Sequence, residues 1–223
     1  MIKISRFYRS LPAVALSLLA AASLHAQNYN EIGDAGSNLG GAQSTGSGGG
    51  ALNTINGTIL SGTDGDFFYI TITNPGAFSA STVGGSLLDT MLFLFTLSGN
   101  PVYLNDDTAS GIQSFLPGGH PFGPIAAGTY IIGISLSGSE PINLGNQQLF
   151  ADGVFSTDVR GPRMGALGPV TGVTQSAFPG SGAYTITLTG ASMSAVPEPS
   201  SVVLLACAGI GGLIVLRRRV RRS

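Results

Sequence analysis

Tryptophan is missing from this sequence, lysine occurs only at position 3, and the single cysteine, Cys207, sits inside an apolar run near the C-terminus. Each absence excludes something. Without cysteine between residues 27 and 195, that stretch has no disulfide and rests on packing alone. Thiol nucleophiles and lysine Schiff bases are excluded from it. A zinc site of several His or Cys ligands is excluded as well, because His120 is its one histidine. His120 lies in "PGGHPFGP", where a solvated loop histidine is the plain reading rather than the base of a catalytic triad. Ten carboxylates leave a glycosidase-like pair as the remaining catalytic option. With no Trp, and with most aromatics in core alternation, no sugar-stacking platform stands out. An enzyme is not expected.

Positive charge is scarce too. Residues 27–195 carry Arg160 and Arg163 against ten acidic side chains, a net of −8 that the near-neutral total conceals. Nucleic-acid affinity rests on Lys and Arg neutralising phosphates, so no nucleic-acid partner is expected. The other basic residues lie at the two ends. Lys3, Arg6 and Arg9 precede an apolar run over 11–24 and then the small residue Ala26. That is the layout of a secretory signal peptide over 1–26, with cleavage at Ala26. The run is shorter than the ~20 residues of a membrane-spanning helix.

Glycine, serine and threonine are abundant instead. "GSNLGGAQSTGSGGG", over 36–50, makes residues 27–50 read as a Gly/Ser-rich linker or surface loop. From 51 to 195, short β-branched and aromatic runs alternate with turn clusters, the pattern of one all-β sandwich or barrel domain. In "DFFYITITN", Phe68, Ile70 and Ile72 share one face and Phe67, Tyr69, Thr71 and Thr73 the other, predicting a half-buried strand. "TMLFLFTL" is apolar on both faces, as a covered central strand is, and "SGN" turns it into "PVYLN" as a hairpin whose Pro101 favours an edge. "GTYIIGISL" and "GAYTITLTG" alternate in the same way. Weaker strands are expected at 54–60, 77–83 and 148–154. Residues 161–182 read as a long irregular loop, with room for a short strand around 170–173.

The acids gather at turns: Asp64 and Asp66 in "GTDGD", Asp89 before a strand, and Asn105, Asp106 and Asp107 in "NDD". Asp and Asn start turns by bonding the local backbone, which accounts for such clusters without a metal. The second reading is a weak extracellular-type calcium site built from Asp66, Asp106 and Asp107, calcium being a cation that takes loop carboxylates and carbonyls. No other cofactor is expected.

The C-terminus reads "VPEPSSVVLLACAGIGGLIVLRRRVRRS". Sixteen residues, 201–216, would span ~24 Å as a helix, just enough to cross a membrane with snorkelling arginines. Arg217, Arg218, Arg219, Arg221 and Arg222 would form the cytoplasmic stop and leave residues 27–195 outside. Pro197 and Pro199 hold the backbone around Glu198 extended, as a processing enzyme needs. In this order, triplet, apolar run and basic end (Val196, Pro197, Glu198, Pro199 onward) resemble the PEP-CTERM sorting signal of exopolysaccharide-producing Gram-negative bacteria. That resemblance implies export by the secretion machinery and transient anchoring in the inner membrane. It further implies processing by exosortase, a membrane-embedded cysteine transpeptidase-like enzyme, and release to the cell surface or extracellular matrix.

A second resemblance covers the domain itself. "GTDGDFFYI", "DTMLFLFTLSGNPVYLNDD", "AAGTYIIGIS" and "GAYTITLTG", in that order, resemble the bacterial pre-peptidase C-terminal (PPC-like) domains. It implies a jelly-roll-like antiparallel β-sandwich at 51–195, which the N-terminal signal helix and the C-terminal transmembrane helix, 201–216 within the sorting signal of 196–223, would flank. It also implies an accessory role, since relatives bind calcium or extracellular polymers. The expectation is a matrix-associated structural or binding protein, with exopolysaccharide as a partner. A calcium-dependent carbohydrate-binding module is the alternative, and a secreted hydrolase the distant one.

Overall fold

The computed structural model describes residues 26–47, 49–166, 168–178 and 180–195. Nearly all of the expected signal helix and the whole expected tail helix lie outside these residues. Among the described residues no helix is long and apolar enough to cross a membrane, and apart from one 3-10 turn, Pro75–Ala77, every regular element is a strand. In chain order these are β1 (Gln27–Asn30), β2 (Gln43–Ser44), β3 (Leu52–Ile59), β4 (Gly65–Ile72), β5 (Ser79–Ser81), β6 (Thr90–Thr96) and β7 (Pro101–Asn105). There follow β8 (Phe115–Leu116), β9 (Gly128–Leu136), β10 (Pro141–Ile142), β11 (Gly172–Val173), β12 (Gly182–Thr189) and β13 (Ala191–Met193).

Two open sheets face each other. One runs β1-β3-β12-β5-β8 and the other β13-β4-β9-β6-β7, with β2 also paired to β4. Alternation directs Ile55, Ile59, Tyr184, Ile186 and Leu188 of the first sheet against Phe68, Ile70, Leu92, Leu94, Ile132 and Ile134 of the second, forming the inter-sheet core. The β6–β7 hairpin forms as its sequence indicates, with β7 ending the sheet and Pro101 at its first position.

The strand β4 is not half-buried. Phe67 and Tyr69 point away from the first sheet, yet are 0% and 8% exposed. They join Phe93, Phe95, Leu149, Phe150 and Val170 in a second core on the outer face. The covering layer comes from the segment between β9 and β12, where β10 and β11 pair with each other and Arg160 exchanges backbone bonds with Leu104 of the edge strand (2.8 and 2.9 Å). The short strand near 170–173 is thus β11, whereas the strand expected at 148–154 is replaced by irregular chain whose Leu149 and Phe150 plug this layer. A two-stranded pair is marginal alone, but β10 and β11 need no strength of their own while Leu149, Phe150 and Val170 beside them are buried.

Residues 27–50 are not a linker. β1 lies parallel to β3 and β2 parallel to β4, so the sandwich carries two short parallel pairings in an otherwise antiparallel arrangement. The segment adheres because its few apolar or hydroxyl side chains are used: Ala35 and Thr45 are fully buried, and Tyr29 packs edge-on to Phe68. Its glycines serve close approach, as at Gly36 and Gly41, whose backbones are too near each other for a Cβ on either.

Gly133, in the middle of β9, is the position where the outer core is tightest. A Cβ there would overlap the ring of Phe93 and press on Phe67, whose rings meet edge to face at 5.4 Å. Gly133→Ala is therefore expected to destabilise by about 1–3 kcal/mol through overpacking, a fall of roughly 3–10 °C in Tm for a domain of this size. Gly172→Ala, where a Cβ meets open space, leaves Tm within about 2 °C. Thermal unfolding of the two variants beside the parent checks both.

Candidate functional site

The acidic side chains collect where strands of the second sheet begin or end. Asp89 immediately precedes β6, Asp106 and Asp107 follow β7, and Ser137 follows β9, three neighbouring strands whose ends lie side by side. One carboxylate oxygen of each of Asp89, Asp106 and Asp107 lies within 4.8 Å of the others. Ser137 ties the group together: its amide donates to the carbonyl of Asp89 (3.0 Å) and its hydroxyl to Asp106 Oδ2 (3.2 Å). Asp107 is held by its amide bond to the carbonyl of Ser156 (3.0 Å). Asn105 faces elsewhere, its side chain bridging the carbonyls of Thr157 and Asp158 to the amide of Phe115.

Asp66 is not part of this group. Across the sheet Asp66 pairs with Ile134, Ile134 with Leu92, and Leu92 with Asn105. Three strand spacings therefore separate Asp66 from the "NDD" turn, about 14 Å at the usual inter-strand distance. One ion shared by Asp66, Asp106 and Asp107 is incompatible with that register. The expected trio is divided, and Asp89, noted in the sequence only as a turn acid, takes the third place beside Asp106 and Asp107. Adjacency of β6 and β7 was the available signal, because a hairpin returns the residue before its first strand to the residues after its second.

Asp66 has its own acidic company. It is fully buried between the sheets, where Tyr184 of β12 donates its hydroxyl to Asp66 Oδ2 at 2.7 Å, a hydrogen bond from one sheet to the other. Carboxylate oxygens of Glu31 and Asp34 lie within 4.8 Å of the Asp66 carboxylate and of each other. Glu31 is already engaged, accepting from the amides of Ala35 (2.7 Å) and Thr58 (2.9 Å). Gly57 leaves the room that the Tyr184 hydroxyl and the Glu31 carboxylate occupy.

Several of these groups lack a partner. Among the described residues the Oδ1 atoms of Asp66, Asp89, Asp106 and Asp107 are buried with no hydrogen-bond partner, as is Glu140 Oε2. Burial without compensation disfavours the charged form. It lifts the Asp66 carboxyl to about 9 against the opposing bond from Tyr184, with Glu31, Asp64 and Asp34 adding like-charge repulsion. It lifts Asp106 to about 6, with Asp107 and Asp89 reinforcing the shift and the Ser137 bond and Arg160 opposing it. Asp89 is raised by burial and by Asp107. Beside Asp106 opens a shallow cavity of ≈ 220 Å³ lined also by Ser137, Glu140, Phe155 and Arg160. Arg160 is paired to Glu140 at 2.8 Å, and Phe155 is 69% exposed. The arrangement suits a hard cation, whose charge would stand in for the missing donors, and offers one exposed ring beside it. The Nδ1 of His120 accepts from the Phe122 amide (3.2 Å), and its ring stacks on that of Tyr103 in β7 at 6.4 Å.

Comparison with protein families finds the PEP-CTERM protein-sorting motif at residues 195–222. Val196, Pro197, Glu198, Pro199 and the five tail arginines fall within it, though outside the described residues; Ala26, at the other end, is the first residue described. No family match supports the resemblance of the domain to pre-peptidase C-terminal domains. No curated protein matches the chain.

The two most strongly raised carboxyls, Asp66 and Asp106, set a pH dependence. In the folded chain Asp66 and Asp106 keep protons that the unfolded chain releases near pH 4. Their contribution to stability is thus fully present below about pH 4 and is lost as pH rises, through about 6 for Asp106 and about 9 for Asp66. In chelator, Tm is expected to fall steadily from pH 4 to 9. Asp66→Asn, which stays neutral and can still accept from Tyr184, is expected to raise Tm at pH 8 and flatten the slope above pH 6. A thermal-unfolding series across pH checks it; a flat parent profile would contradict the assignment.

Proposed function

We propose that this chain is an exported, exosortase-sorted protein whose β-sandwich works as a structural or binding component of the cell surface or extracellular matrix. The observation that carries the reading is the sorting motif at 195–222, which suggests export, membrane anchoring before processing and recognition by exosortase. A signal peptide over 1–26 fits that route, as does a net charge of −8 over 27–195 without any lysine or cysteine there. The matrix role, with exopolysaccharide as partner, and the PPC-like, jelly-roll-like character of the domain rest on the strand motifs and their order. The non-enzymatic reading is supported by the composition, which gives residues 27–195 one histidine and no cysteine or lysine. On this reading cleavage near the triplet detaches the basic tail, and the acidic domain is released without it.

A second reading is favoured by one observation, the three unpartnered Oδ1 atoms of Asp89, Asp106 and Asp107. In it the strand-end group holds calcium and, with Phe155 beside the cavity, makes the domain a calcium-dependent carbohydrate-binding module. Asp66 belongs to a separate acidic group on this reading. A hydrolase is the weaker alternative, because residues 27–195 hold a single histidine and no cysteine or lysine with which to activate a nucleophile.

Two outcomes are expected. Mass spectrometry of the exported protein from a host with exosortase shows a C-terminus near the triplet; with Pro197, Glu198 and Pro199 all changed to Ala, the chain is retained in the membrane with Ser223 intact. Calcium at about ten times its Kd raises Tm by roughly 3–5 °C, and Asp106→Asn with Asp107→Asn abolishes that rise. An unchanged Tm in millimolar calcium removes the second reading and leaves the first standing.

A further inference from the structure

Among the described residues, Ser194 is the last that the fold grips. Along one side, β13 pairs with Ile70, Thr71 and Ile72 of β4. Along the other, the amide of Met193 donates to the carbonyl of Gly50 (3.1 Å) and Ser192 bridges Ala51. Thr45 then closes the strand end. Ser194 N–H donates to Thr45 Oγ1 (2.9 Å), Thr45 N–H donates to the Ser194 carbonyl (3.1 Å), and Ser44 Oγ donates to the same carbonyl (3.0 Å). Thr45 is fully buried and its hydroxyl donates onward to the carbonyl of Tyr69 at 2.7 Å. Releasing Ser194 would leave these buried groups without partners, so the chain leaves the body at a fixed point.

Only Ala195 and Val196 lie between Ser194 and Pro197. At ~3.3–3.6 Å per residue, the Pro-Glu-Pro triplet begins no more than about 11 Å from Ser194, and the apolar run at Ser201 no more than about 25 Å away. The headgroup layer takes up roughly 5–7 Å of the longer distance. An enzyme working at the membrane on the extended triplet therefore has the folded domain against it. The part of the domain at that point is the rim formed by residues 43–47, 49–50 and 191–195. These belong to two stretches, 35–63 and 164–195, that contain no charged side chain, although the body as a whole carries a net −8. The rim's own residues bring no charge into such a contact; Glu31 stands at its margin, next to the Ile32 backbone that the Gln43 side chain holds (3.1 and 2.8 Å).

We propose that this uncharged rim, held at fixed reach by the Thr45–Ser194 latch, is the surface by which the folded body docks on the membrane-embedded enzyme that processes the triplet. The inference rests on the sorting reading above and adds to it that the folded body, beyond the tail, is part of what the enzyme meets. Residues 43–47 thereby gain a role that their composition as a spacer does not indicate.

The test uses the full-length chain in a host with exosortase, following tail loss by pulse-chase and mass spectrometry. Ser47 is exposed on the rim, so Ser47→Glu and Ser47→Lys leave Tm unchanged. Both are expected to slow tail loss about tenfold by displacing the triplet from its bound position. A neutral Gly-Ser spacer of about a dozen residues after Ala195, adding tens of ångströms of reach, is expected to restore the rate in both. Native rates in both variants, or slow rates that the spacer does not restore, overturn the proposal. Slowing by Glu with acceleration by Lys also overturns it, because the rim would then be meeting anionic lipid instead of the enzyme. A parent chain that keeps its tail throughout refutes the sorting reading itself, an outcome separate from these.

Discussion

The structure depends on one sheet being apolar on both faces. β4, β9 and β6 carry Phe67, Ile131, Phe93 and Phe95 outward and Phe68, Ile132, Ile134, Leu92 and Leu94 inward, and neither set is left to solvent. With no disulfide available, the two cores share the work of holding the domain. The outer one exists because the chain between β9 and β12 folds back over the sheet, with Leu39 and Ala42 of the N-terminal segment packed beside it. The Phe67–Phe93–Phe95–Phe150 cluster, with ring centroids 5.4 to 5.7 Å apart, fixes where that layer sits. The bare backbone of Gly133 sets how closely it can sit. A segment that would otherwise be a long structureless insertion is thereby made part of the fold.

A sheet this apolar has no place for charge except at its ends, and the acids are placed accordingly. Asp66, Asp89, Asp106 and Asp107 all lie where β4 and β6 begin and β7 ends. Four of their oxygens are buried without a donor. Free energy gained by the aromatic layers offsets this local electrostatic penalty, and the penalty makes the end responsive to protons. The Tyr184–Asp66 bond shows the same trade within the core: it joins the two sheets while leaving half of the carboxylate unsatisfied.

Strand identity was legible from period-two alternation, and the β6–β7 hairpin from "SGN" and Pro101. What alternation cannot show is what covers a face. Phe67 and Tyr69 alternate correctly with Phe68 and Ile70, but their burial depends on Phe150 and Val170, some eighty to a hundred residues later in the chain. The same blindness to long-range pairing made 27–50 read as a spacer, because its low apolar content is that of a flexible chain. A few residues, Tyr29, Ala35 and Thr45, suffice to attach it. In the acidic site, local spacing correctly flagged the "NDD" turn and Asp89 as strand-end acids. The grouping of Asp66 with them failed because sequence gives no strand order, and β9 and β6 stand between β4 and β7.

Strand order also explains why the two chain ends of the domain meet. β2 and β13 occupy successive lengths of the same edge of β4, one parallel and one antiparallel, so Thr45 arrives head-on at Ser194. The edge that would otherwise invite pairing by another chain is thus closed by residues from both ends of the domain. Because each end blocks the other, the domain cannot finish folding until β13 has been delivered. In a chain exported N-terminus first, β13 is the last described strand to arrive and the triplet begins four residues after its end. Completion of the fold and presentation of the sorting signal are therefore neighbouring events, set by the same latch.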